Sequence, residues 1–263
     1  MNKHFDWRIF WILLAAATFG VVAVLPYTLA LQQNSPVLKT LKIPLWQLLV
    51  AQTAQTVVLL AIAIAVGLLL ANRIGLGLPL LEAKLRGESI RDRVRAILPI
   101  SIVLGLIGGA LIVALDAFVF QPAMKAELGA AAAKLAQPVP HPGPLRGFLA
   151  SFYGGIDEEI LLRLFVMTLL AWLGHFVSRT ADGKPTTAVL WTANILAAVL
   201  FGLGHMPAAL AVFPLTPMLV VREIVLNGLV GVACGYLYFT RGLESAMISH
   251  FSADLVLHVL LGA

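Results

Sequence analysis

The chain has 263 residues, 60% of them hydrophobic and 12% charged, with a mean hydropathy of +0.95 and a net charge of +5. This composition excludes an ordinary soluble globular domain and points to an integral membrane protein, whose basic excess belongs in cytoplasmic loops. No basic run is interleaved with aromatics, which argues against nucleic-acid binding; the one cysteine, Cys234 in an apolar run, excludes an internal disulfide framework.

A hydrocarbon core of about 30 Å needs about 20 helical residues. That measure predicts an all-α, polytopic transmembrane bundle of about seven spans, at 9–31, 45–71, 96–120, 147–177, 188–212, 217–240 and 243–262. The first is read as an uncleaved span, since its apolar run is too long for a typical signal peptide. After the third comes the Ala- and Pro-rich stretch 126–146, expected to form a short interfacial helix and a turn. The chain divides at that point into N-terminal spans and loops, 1–145, and a core, 146–263, within one membrane-embedded unit. Gly105-x-x-x-Gly109 and Gly231-x-x-x-Gly235 predict close helix crossings.

Placing the N-terminus inside puts eleven Lys and Arg on the inner side, most of them in the loop 72–95, against five outside. The positive-inside rule therefore favours that orientation. No internal repeat is evident, which weakens the case for an inverted-repeat transporter.

Ionised groups are costly within the bilayer, so those inside spans face the bundle interior and are functional by default. Here they gather in the second half of the chain, in three short patterns. In "GGIDEEILLRLF", Glu159 and Arg163 are four apart and share a helical face, whereas Glu158 points about 100° away. Two readings stay open: a buried ion network serving stability, or a structural Glu159–Arg163 pair beside a Glu158 free to act as a general base. In "LFGLGHMP", Phe201 and His205 share a face, and the histidine is either a packing residue or a catalytic one. In "SHFSADLVLHV", His250, Asp254 and His258 make a polar stripe that lipid would leave unsatisfied. Arg222 and Glu223 at the start of the sixth span read as an interfacial charge pair.

The ordered set E-E-x-x-x-R, F-x-x-x-H and H-x-x-x-D/N, each on its own span, resembles the CPBP family of intramembrane proteases. That family comprises CAAX prenyl endopeptidases and bacteriocin-processing and self-immunity proteins. The resemblance covers roughly 145–262 and implies that Glu158 activates water for attack on a peptide carbonyl while His205 positions that water. It implies that His250 and residue 254 donate to the oxyanion, with Glu159, Arg163 and Phe201 in structural roles. Asp254 stands where asparagine is frequent, and an ionised aspartate cannot donate. It is therefore protonated, or orients His250, or belongs to a metal site.

The resemblance implies no cofactor under a metal-free glutamate mechanism, with zinc held by Glu158, His205 and His250 as the alternative. The function it implies is hydrolysis of a membrane-delivered or lipidated peptide in a bacterial inner membrane, with that peptide and the bilayer as partners. A non-catalytic peptide-binding or immunity protein and a proton-coupled transporter are the competing readings.

Overall fold

The computed structural model describes residues 5–32, 42–129 and 142–260. The described chain is almost entirely helical: α1 (Trp7–Gln32), α2 (Leu45–Ile74), α3 (Pro79–Leu85), α4 (Arg91–Leu128), α5 (144–174), α6 (Thr187–Leu210), α7 (Pro217–Arg241) and α8 (243–260). Five of these, α1, α2, α4, α6 and α7, are long and apolar enough to cross a membrane. The other two expected spans, α5 and α8, are the helices whose apolar runs are interrupted by the motif acids. All seven expected spans correspond to helices, α3 being a short one inside the loop 72–95. The helix and turn expected at 126–146 fall largely outside the described residues.

Apolar side chains such as Val58, Ile62, Leu106 and Leu196 face outward, as lipid-facing helices require. The buried set runs through the centre, where Ala17 of α1, Ile64 and Leu68 of α2, and Ile160 and Leu164 of α5 pack together. At one end, the loop before α3 meets the start of α8: Leu243 N–H donates to Gly77 C=O at 3.0 Å, and Glu244 accepts the Leu80 and Leu81 N–H groups. That end also carries Arg93 and Arg241, with Arg86 at the end of α3.

Both small-residue signals mark crossings. A Cβ on Gly105 would lie 2.1 Å from the Ser249 carbonyl oxygen, and one on Gly109 would lie 2.8 Å from that of Ala253, so α4 lies directly on α8. A Cβ on Gly235 would meet Asn194 Oδ1 at 1.8 Å, which brings α7 onto α6. Cys234 is fully buried beside that crossing, a small packed side chain as expected.

The span α5 departs from a plain α-helix. It is wound as π-helix over Tyr153–Glu158 and Ile160–Met167, and α8 ends in the same way over Leu255–Leu260. Such i→i+5 windings concentrate at functional sites: here they cover the first motif and begin directly after Asp254 of the third, and one more lies on α4 at Asp116–Phe120.

Candidate active site

Of the two adjacent acids on α5, one is sealed and one is open. The side chain of Glu159 is 0% exposed and that of Glu158 is 21% exposed. Glu159 Oε1 lies 2.7 Å from Arg163 Nη1, the i,i+4 pair expected from the spacing. Arg163, itself 2% exposed, also donates through Nη2 to the Gly231 carbonyl at 2.9 Å and stands over the Phe201 ring, 5.3 Å from its centroid. A charge at this depth needs partners: the Glu159 carboxylate opposes it on α5, Gly231 of α7 accepts from it and the Phe201 ring of α6 lies beneath it.

Phe201 stands at the junction. Its ring packs edge-on against both His205 and His250, at centroid distances of 4.8 and 5.6 Å. Its carbonyl oxygen accepts from His205 Nδ1 at 2.9 Å. A carbonyl can only accept, so Nδ1 carries the proton and Nε2 of neutral His205 is left as an acceptor.

His250 is anchored in the same manner, its Nδ1 lying 2.7 Å from Glu159 Oε1. Its Nε2 is 3.5 Å from Glu158 Oε2 and 3.7 Å from Asp254 Oδ1. Both ring nitrogens therefore face carboxylate oxygens, and in the imidazolium form both donate. Asp254 Oδ1 is also 3.9 Å from His258 Nε2, and His258 Nδ1 is 3.0 Å from the Tyr27 hydroxyl.

Glu158, His205, His250 and Asp254 line one cavity of about 410 Å³, together with Phe201. Glu159 and Arg163 stay behind its wall, as their structural reading requires. The cavity lies in the half of the bundle remote from the arginine-rich end. The lining residues not singled out from the sequence include Tyr27, Tyr153, Gly154 and Asn227. Asn227 is neutral and escapes a search for ionisable groups, yet an asparagine in a span, four residues after Glu223, was a visible signal. Gly154 closes the site from α5, since a Cβ there would lie 2.0 Å from Asp254 Oδ2 and 3.3 Å from His250 Nε2. Tyr27 gave no signal, because a single tyrosine near a span end is ordinary.

Residues 140–256 match the family model described as Type II CAAX prenyl endopeptidase Rce1-like. That match supports the CPBP/CAAX protease family for this part of the chain. The match supports a CAAX-type membrane protease, a class of hydrolase, for this region. The matched region contains the four cavity residues of the motifs, while α1, α2, α3 and α4 lie outside it. No curated protein and no solved structure gives a significant match to the chain.

The zinc alternative is tested by the donors themselves. Zinc at 2.0–2.3 Å from each ligand draws the ligand atoms within about 3–4 Å of one another. Among the described residues, the group of three with ligand atoms within 4.8 Å is Glu159, Cys234 and His250, not Glu158, His205 and His250. In that group Glu159 is already committed to Arg163. Anchored Nδ1 atoms, as on both histidines, are common to metal sites, but as arranged these donors do not fit a zinc ion.

Arg222 and Glu223 are more than an interfacial pair. Arg222 Nε lies 2.6 Å from Asp116 Oδ1 and its Nη1 lies 2.5 Å from Glu223 Oε1, a half-buried network joining α4 to α7. Asn227 donates to Glu223 Oε2 at 3.2 Å, which links this network to the cavity wall. Asp157, beside Glu158, points the other way, against Gly20 of α1, and its carboxyl oxygens have no hydrogen-bond partner among the described residues.

Proposed function

We propose that the protein is an endopeptidase that hydrolyses a peptide bond of a membrane-delivered or lipidated peptide by glutamate-activated water. The observation that supports it is the division of labour between adjacent acids: Glu159 is locked behind the wall by Arg163, and Glu158 opens into the cavity 3.5 Å from His250.

In this reading a water held between Glu158 and His205 Nε2 gives its proton to the Glu158 carboxylate as its oxygen attacks the scissile carbonyl carbon. The charge that develops on the carbonyl oxygen accepts from His250 Nε2–H, and Glu158 then passes its proton to the departing amine nitrogen. Asp254 acts as the carboxylate that orients and charges His250 rather than as an oxyanion donor, which answers the departure from asparagine. The family's name points to prenylated C-terminal peptides as one substrate class.

The test is cleavage of a fluorogenic membrane-peptide library by purified protein in detergent, with Glu158→Gln beside the wild type and each repeated with a zinc chelator. Cleavage lost in the variant and unchanged by chelation is the expected result. Equal cleavage by the variant overturns the mechanism, and loss on chelation transfers His205 and His250 to a metal.

A further inference from the structure

A second cavity, of about 500 Å³, lies between α1 and the first turns of α2, with Tyr153 its one lining residue from the family-matched region. It shares Val24, Thr28 and Tyr153 with the candidate active site, so the two are neighbours along one path. Its α2 wall is unusual for a lipid-facing helix. Gln52, Thr53, Gln55 and Thr56 crowd into little more than one turn, whereas 57–71 holds no polar side chain.

Polar side chains in a span normally find partners, since lipid offers none. Elsewhere in this bundle they do: Thr18, Thr28 and Ser101 return their hydroxyls to carbonyls of their own helices. Among the described residues, Gln52, Thr53, Gln55 and Thr56 make no side-chain hydrogen bond. They form a row of donors and acceptors along the cavity wall, Gln52 and Gln55 exposed and Thr53 and Thr56 half-buried, beside the candidate active site.

A peptide in a membrane satisfies its backbone within a helix, and a protease must first unwind it, which frees N–H and C=O groups in an apolar medium. Glutamine amides and threonine hydroxyls offer both donors and acceptors to such a strand. Leu49 to Thr56 spans seven helical rises, about 10 Å, the length of about three residues of extended chain.

We propose that this groove is a substrate subsite that binds the unwound backbone of the peptide, about three residues in extended form, and leads it past Tyr153 to Glu158. The proposal rests on the endopeptidase reading for what the groove serves, but its test reads binding alone. The probe is a dansyl-labelled apolar peptide of about 22 residues with a central Gly-Pro helix break, beside a counterpart carrying Leu-Leu there. Both are titrated against proteoliposomes of Glu158→Gln protein, so that no turnover intervenes.

The broken peptide is expected to bind at least about tenfold tighter than the unbroken one. The triple change Gln52→Leu, Gln55→Leu and Thr56→Val should remove at least about tenfold of that affinity. These changes suit a lipid-facing helix, and an unaltered melting temperature confirms the fold. A benzophenone at Thr53 in the otherwise unchanged Glu158→Gln protein should crosslink the broken peptide, giving a readout that needs no groove deletion.

Equal binding by the triple variant, equal binding of both peptides, or no binding at all overturns the proposal. So does tighter binding by the triple variant together with displacement by farnesylcysteine methyl ester, which would show an apolar chain in the groove. Failure of wild-type cleavage with the binding pattern intact would instead count against the protease mechanism alone.

Discussion

His250 Nδ1 and Glu159 Oε1 lie 2.7 Å apart, and the same carboxylate oxygen receives Arg163 Nη1 at 2.7 Å. One buried oxygen thus ties the first motif to the third, and Arg163 ties both to the second through Phe201. Removing one member of a buried pair leaves an uncompensated charge, at a cost of about 3–5 kcal/mol. Glu159→Ala and Arg163→Ala are therefore expected to lower the detergent melting temperature strongly. Arg163→Lys is expected to fail nearly as badly, because an ammonium cannot reach Glu159 and Gly231 in one planar fork while lying over Phe201. Melting curves that match the wild type would remove Arg163 from its structural role.

Glu158 has the opposite expectation, since its carboxylate opens to the cavity and holds no helix in place. Glu158→Gln should melt within a few degrees of the wild type while the cleavage rate falls about 10²–10⁴-fold, the usual contribution of a general base. Parallel losses of stability and rate would reassign Glu158 to the scaffold.

Much of this arrangement is legible in the sequence because it rests on helical spacing. The i,i+4 rule pairs Glu159 with Arg163 and puts Phe201 beside His205 whatever the rest of the bundle does. Gly105, Gly109 and Gly235 announce crossings by their lack of a side chain, though not which helices cross. What the sequence withholds is anything that depends on contacts distant along the chain. That Glu159 also anchors His250, 91 residues on, follows from the packing of α5 on α8, and Tyr27 reaches His258 across 231 residues. The π-helical winding of α5 is equally hidden, because residues 153–167 contain no proline and their helical spacing alone does not separate an i→i+5 winding from an α-helix.

Gly154 offers a test of how closely that winding holds α5 to α8. A methyl group there would sit 2.0 Å from Asp254 Oδ2 and 3.3 Å from His250 Nε2, so the acid must move before the helices can close. Gly154→Ala should reduce cleavage by at least about tenfold, since small misplacements at a reacting site are costly. The control is Gly204→Ala on α6, where an added Cβ meets nothing within 4 Å and activity should be unchanged. Equal activity of both variants would show that Asp254 has room to move without consequence.

Asp254 is where this chain differs from the commonest form of the third motif, and its geometry separates two roles. If residue 254 donated to the oxyanion, an ionised aspartate would be a poor choice and Asp254→Asn would raise activity. The structure sets Asp254 Oδ1 3.7 Å from His250 Nε2, with His258 Nε2 at 3.9 Å on its other side, which is the position of a carboxylate serving imidazoles. Asparagine can still accept from a ring N–H, so Asp254→Asn should keep cleavage within about tenfold of the wild type. Asp254→Ala removes the carboxylate beside the His250 ring and should lose about 10²–10³-fold, because the imidazolium that serves the oxyanion loses its counter-charge. Single-turnover rates of the three proteins on one fluorogenic peptide distinguish the cases, and an asparagine variant faster than the wild type would return residue 254 to the oxyanion hole.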